Sequence, residues 1–144
     1  MTRVRDLMTV DIETVSPSQT VREAANFMLC ADTGVIPVCD EERLIGMLTD
    51  RDIVVRGVAA GLGPDTVVAE LMSGDIVWAR EDDEVGAIAQ RMSDAQVRRL
   101  PVIGAGDRLV GMISLGDLSR ESEQAAAVQA LEGVSASSVE TVQG

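Results

Sequence analysis

Two stretches decide the fold: Leu44-Ile45-Gly46-Met47-Leu48-Thr49-Asp50-Arg51-Asp52, and Leu109-Val110-Gly111-Met112-Ile113-Ser114-Leu115-Gly116-Asp117. Each runs an apolar β-type segment through a glycine to a hydroxyl residue and, three positions later, an aspartate. A Ser or Thr ahead of an acid at that spacing marks a helix N-terminus. The hydroxyl accepts from a free backbone N–H, and the carboxylate suits the positive end of the helix dipole. Each stretch therefore predicts a strand that hands over directly to a helix. Finding the pattern twice points to a duplicated unit.

Working outward extends the match. Toward the N-terminus, an offset of 64 lays Val4, Leu7 and Met8 on Val68, Leu71 and Met72, and Asp11-Ile12 on Asp75-Ile76. The same offset lays Val21, Ala25 and Met28 on Val85, Ala89 and Met92, and Pro37-Val38 on Pro101-Val102. One extra residue enters the second copy at Gly104-Ala105-Gly106-Asp107, after which the offset is 65. A slip confined to a turn is where chains tolerate insertion.

Both copies read as β-α-β-β-α. A short β segment (Ile12–Val15, Ile76–Ala79) leads to a helix. In the first copy Thr20-x-x-Glu23 has the capping-box pattern. Val21, Ala24, Ala25 and Met28, and in the second copy Val85, Ile88, Ala89 and Met92, recur at helical spacing and predict one buried face per helix. Strands are expected over Val35–Cys39 and Leu44–Thr49, and again over Arg99–Ile103 and Leu109–Ser114. Second helices are expected from Asp50–Asp52 and Leu115–Asp117. Gly57–Pro64 has a linker's composition. Helix is expected to continue through Ala125–Leu131, with a polar tail beyond Gly133. Neither copy alone buries enough apolar surface, so the two should pack together.

Composition narrows the function. The 144 residues carry 12 basic and 24 acidic groups, a net charge of −12, with Phe27 and Trp78 the only aromatics. So acidic a surface disfavours nucleic acid and anionic membrane as partners. Aliphatic residues must supply the core, and Met28, Met47, Met92 and Met112 read as core filler. The absence of His removes the commonest general base and metal ligand. Two cysteines nine residues apart, without His, argue against a metal site. Cys30 and Cys39 read as buried free thiols, with a disulfide as the competing reading. The N-terminus has no apolar h-region and no apolar run is long enough to span a bilayer, so a cytoplasmic location is expected.

Taken in order, these features resemble the CBS-domain family (cystathionine-β-synthase-type repeats), and the resemblance covers roughly residues 4–124. Its carriers are V-x-x-L-M at Val4 and Val68, the strands around Pro37 and Pro101, and L-x-G-M-[LI]-[TS]-x-x-D at Leu44 and Leu109. The chain is similar to small free-standing bacterial proteins of this type. The resemblance implies repeats at residues 4–63 and 68–124, a short helical extension and tail over 125–144, and an α/β (α+β) fold with pseudo-twofold symmetry. It further implies a regulatory module, not an enzyme, binding AMP, ADP, ATP or S-adenosylmethionine in clefts between the repeats. It also implies a homodimer formed through helices.

Carried over by position, the first cleft would use Thr14, Val35, Ile36, Pro37, Thr49 and Asp52. The second would use Trp78, Arg99, Leu100, Pro101, Ser114 and Asp117. In this scheme Asp52 and Asp117 hold ribose hydroxyls, and Arg51, Arg98 and Arg99 are the candidate phosphate partners, because guanidinium pairs bidentately with phosphate oxygens. Each feature also has a plainer reading. Thr49, Ser114 and the aspartates would serve as helix caps alone, Arg98-Arg99 as a solvated pair, and Pro37 and Pro101 as edge-strand punctuation. Trp78 would either stack on an adenine, plug the second cleft or serve an interface. The contrasting function is a stress-associated interaction protein with vestigial nucleotide sites.

Overall fold

Chain order in the computed structural model, which describes residues 2–120, begins with α1 (Val4–Leu7), α2 (Val21–Ala31), β1 (Val35–Asp40) and β2 (Arg43–Thr49). A π-helix (Asp52–Gly57) and a 3₁₀ turn (Val58–Ala60) follow. The second half holds β3 (Ala79–Arg80), α3 (Val85–Ala95), β4 (Arg99–Ile103), β5 (Leu109–Ser114) and a helix running from residue 115 to 120. The expected helix at Ala125–Leu131 and the polar tail lie outside the described residues.

The two hairpins repeat each other. β1 pairs antiparallel with β2 and sets Pro37 opposite Met47; β4 pairs with β5 and sets Pro101 opposite Met112. The extra residue of the second copy falls in the β4–β5 turn, where Gly106 (φ +68°) and Asp107 (φ +60°) take left-handed backbone; Glu41 (φ +59°) does this alone in the first copy. Both long helices end alike. Asp32 (φ +52°) and Gln96 (φ +56°) turn left-handed, and the next residue's N–H returns to the carbonyl of Met28 or Met92 at 3.0 Å. That satisfies a carbonyl left orphaned at the helix end.

Four expectations change. The segments Ile12–Val15 and Ile76–Ala79 reduce to a single parallel bridge, Val15 to Val38, and the two-residue strand β3 beside β4. Ala25 and Ala89 are exposed, leaving Val21, Ala24 and Met28, then Ile88 and Met92, as the buried faces. The stretch from Gly57 to Pro64 begins as helix, with Gly57 buried at the end of the π-helix. Met112 is half-buried, whereas Met28, Met47 and Met92 are core residues.

The short leading strands have a physical cause. Each half's opening segment is packed into the other half. Val4 is fully buried against Ala79, Ile88, Met92, Leu100 and Ile113, while Val68 and Leu71 are buried against Val15, Val21, Ile36 and Leu48. Thr9 exchanges both main-chain hydrogen bonds with Met112 (2.8 and 2.9 Å), and Ser73 does the same with Met47 (2.9 and 3.0 Å). Residues between Thr9 and Val15 must cross from β5 of the second half to β1 of the first, so they cannot run on in one ladder.

Glycine makes the exchange fit. A Cβ on Gly46 would stand 2.8 Å from the Ser73 carbonyl oxygen, and one on Gly111 would stand 2.8 Å from that of Thr9 and 2.7 Å from Met8 Sδ. The glycine of L-x-G-M and the methionine of V-x-x-L-M are therefore two sides of one contact.

Two predictions follow from this packing. Gly111→Ala should cost about 1–3 kcal/mol by overpacking, and Leu71→Ala about 2–5 kcal/mol by leaving a cavity, both read from thermal melts. The cysteines are free but unlike: Cys30 is exposed and so departs from the expected burial, while Cys39 is buried and its thiol is pushed up from 9.0 to about 11 by desolvation. Iodoacetamide at pH 8 should therefore label Cys30 and spare Cys39 until the protein unfolds, as mass mapping would show. Burial of Cys39 as a neutral thiol supports the fold fully below pH 9.0, and that support declines as the pH rises to about 11.

Candidate functional site

The crossing from Thr9 to Glu13 forms one wall of a cleft of about 220 Å³ between the halves. The opposite walls are Val35, Ile36 and Pro37 of β1 with Phe27 from α2, and Met112 and Ile113 of β5. At the end of β5 the cleft meets Ser114, Asp117 and Arg99. Apolar surface dominates the walls, while Asp11, Glu13, Asp117 and Arg99 supply the charge.

Ser114 and Asp117 are held by each other. The Ser114 N–H donates to Asp117 Oδ2 at 2.9 Å, and the Asp117 N–H donates to Ser114 Oγ at 3.1 Å. This reciprocal pair satisfies backbone donors at the start of the helix from residue 115. Asp117 is 5% exposed, and its other oxygen, Oδ1, accepts from Arg120. Capping and cleft geometry are thus properties of the same carboxylate. Burial of a carboxylate is sustained by such pairing.

The first half has the same cap with a looser outer oxygen. The Thr49 N–H donates to Asp52 Oδ2 and the Asp52 N–H to Thr49 Oγ1, both at 3.0 Å, while Arg56 stands 4.0 Å from Asp52 Oδ1. Asp52 and Thr49 are half-buried and lie outside the cleft lining.

The sequence grouping by repeat is therefore corrected. Val35, Ile36 and Pro37 share a cleft with Arg99, Ser114 and Asp117 rather than with Thr49 and Asp52. Opening-segment exchange is the reason, because it lays residues 9–13 against β5. Thr14 sits half-buried just ahead of the Val15 bridge, outside the lining. Arg51 and Arg98 are exposed and outside it too, leaving Arg99 as the one of the three proposed phosphate partners that lines the cleft. Leu100 and Pro101 are buried in the second core and on β4.

Pseudo-twofold symmetry maps Phe27 onto Arg91 and Glu13 onto Val77. Arg91 donates to the Trp78 carbonyl at 2.7 Å and pairs with Asp83 at 3.2 Å, so a tied guanidinium replaces an aromatic ring. Trp78 itself is 44% exposed and lines a small cavity with Ile45 and Ile103. Of the cleft lining, sequence reasoning missed Thr9, Asp11, Ile12, Glu13, Phe27, Ala31, Thr33, Met112 and Ile113. The duplicated motif is satisfied equally by pairing Thr9 with Met47 or with Met112, and only the topology chooses.

Comparison with known proteins agrees with this architecture. The CBS domain model matches residues 4–57 and 68–123. Hypoxic response protein 1 of Mycobacterium tuberculosis is 40% identical over 136 residues, covering 93% of this chain and 94% of that protein. Its crystal structure, with two coordinated zinc ions, superposes with a TM-score of 0.76 over 84% of this chain and 99% of that chain. In this chain His is absent, Cys39 is buried in the core, and among the described residues no three His, Cys, Asp or Glu side chains converge.

The CBS domain pair of protein MJ0100, in complex with 5′-methylthioadenosine and S-adenosyl-L-methionine, is 26% identical with a TM-score of 0.74 over 86% of this chain and 98% of that one. CBSX2 in complex with AMP shares the fold alone, at 24% identity, a TM-score of 0.77, and coverage of 88% and 99%. Among the described residues no helix is long and apolar enough to cross a membrane. With both halves matched by the family model and nearly the whole length matched by a relative, the chain belongs to the CBS-domain family and carries the domain as a tandem pair.

Proposed function

We propose that this protein is a regulatory module that binds an adenosyl ligand in the cleft between its halves. The observation that carries the reading is the Ser114–Asp117 pair, its carboxylate buried, at the end of an apolar cleft. Walls of Phe27, Ile36, Pro37, Met112 and Ile113 suit a flat heterocycle. A carboxylate at the cleft end suits a ribose diol, since charge-assisted hydrogen bonds are stronger than neutral ones. The cleft lies below the roughly 300–1,000 Å³ of drug-sized sites, which favours a compact ligand. The 26% identical domain pair bound to S-adenosylmethionine and methylthioadenosine supports the ligand class. Regulation instead of catalysis suits a chain without His. Two free thiols suit a reducing, cytoplasmic setting, and self-association as a homodimer belongs to the same reading.

A second reading, an interaction protein with vestigial sites, is favoured by one observation. Arg120 already occupies Asp117 Oδ1, so a ribose must share or displace it.

Thermal shift and calorimetry with AMP, ADP, ATP and S-adenosylmethionine separate the two. A ligand at a hundred times its Kd should add about 2.7 kcal/mol to stability. The lining holds three carboxylates, of Asp11, Glu13 and Asp117, against one arginine, so affinity is expected to fall as phosphates accumulate, with S-adenosylmethionine and AMP ahead of ATP. Asp117→Asn should weaken binding by roughly tenfold to a hundredfold, the worth of a hydrogen bond to a charged group. Asp52→Asn, which lies outside this cleft, should leave it unchanged. A flat response to all four compounds would favour the second reading.

A further inference from the structure

The two aspartates of the duplicated motif differ in what holds their outer oxygen. Arg120 follows Asp117 by three residues and donates to its Oδ1, and the offset of 65 places Val55 at the matching position of the first half. There the cation comes from Arg56, one residue further along, and stands 4.0 Å from Asp52 Oδ1. A close guanidinium contact is thus present on the one of the two aspartates that lines the cleft.

The two ends of that contact sit in different surroundings. Asp117 is 5% exposed, whereas the Arg120 side chain is 69% exposed and lies outside the cleft lining. The guanidinium therefore reaches the carboxylate from beyond the cleft wall. It is not needed to orient Asp117. The reciprocal bonds with Ser114 do that, and the same pair forms between Thr49 and Asp52, where the arginine is distant. What Arg120 takes up is accepting capacity. The cap already uses Oδ2, so Oδ1 is the oxygen left for a ligand, and a charged donor is on it. An ion pair with one partner largely in water is held weakly, so a diol offering two donors can replace it.

We propose that Arg120 is an internal competitor for Asp117. A ligand's ribose hydroxyls take Oδ1 by releasing the guanidinium, so Arg120 raises the concentration at which the cleft fills, and does so only for ligands that carry the diol. This role rests on the adenosyl reading of the cleft and makes the occupied oxygen a device that sets the ligand threshold.

Calorimetry with AMP and with its dideoxy analogue, which lacks both ribose hydroxyls, tests the competition. Both compounds carry the same phosphate, so the loss of one positive charge acts on them alike and cancels in the ratio of their affinities. Arg120→Ala should raise that ratio in favour of AMP by about twofold to fivefold, the worth of a largely solvated ion pair. Arg56→Ala, beside the aspartate outside this cleft, should leave the ratio at the parent's value. AMP binding by Arg120→Ala where the parent shows none would equally support the competitor role. A ratio that stays level or falls in Arg120→Ala, with AMP still bound, would overturn that role and leave the adenosyl reading standing. So would an equal rise in Arg56→Ala. Failure of both parent and Arg120→Ala to bind AMP would overturn the two together.

Discussion

The structure depends on a reciprocal exchange of opening segments between two like halves. Val4 completes the second core and Val68 the first, and each is fully buried. Burying one such side chain is worth about 1.5–3 kcal/mol. Neither core is complete within its own sequence repeat. The crossing also fixes the halves' relative position through main-chain bonds, Thr9 with Met112 and Ser73 with Met47, at two glycines that leave room for nothing larger. Docking is reinforced at the ends, where the Val4 N–H bonds the Asp83 carbonyl and the Val68 N–H bonds the Gln19 carbonyl.

The cleft is a consequence of this exchange. A chain passing from β5 of one half to β1 of the other leaves its own backbone as a wall and brings Asp117 of the second half beside Pro37 of the first. The site therefore cannot be assigned to either half. A ligand held there would report on their relative position, a physical basis for regulation without chemistry. Divergence after duplication then acted on particular positions, as with Arg91 where the first half has Phe27. One half keeps the open apolar cleft lining, while the other has a tied counterpart.

Much of this was legible in the residues. The strands around Pro37 and Pro101, both long helices, the turn that absorbs the extra residue and the Ser/Thr–Asp caps all follow from local pattern, because capping and alternation are nearest-neighbour physics. What was not legible is non-local. A motif present twice does not say which copy it pairs with, so the cleft residues were grouped by repeat and the crossing segment was read as ordinary strand. Ala25 and Ala89 fit the helical period yet face outward, since a small side chain satisfies the pattern without being needed in the core. Composition alone reads Cys30 as buried, although its place one residue after Leu29 puts it off the buried stripe of Val21, Ala24 and Met28.

If each half completes the other's core, the halves cannot unfold separately. Trp78 is the sole tryptophan and reports on the second half, whereas far-UV circular dichroism reports on both. Urea unfolding of the purified protein, followed by the two signals in parallel, is the most direct measurement. Interlocked cores require one coincident transition with a single midpoint. Two separated transitions, with the tryptophan signal changing while half of the ellipticity persists, would contradict the account.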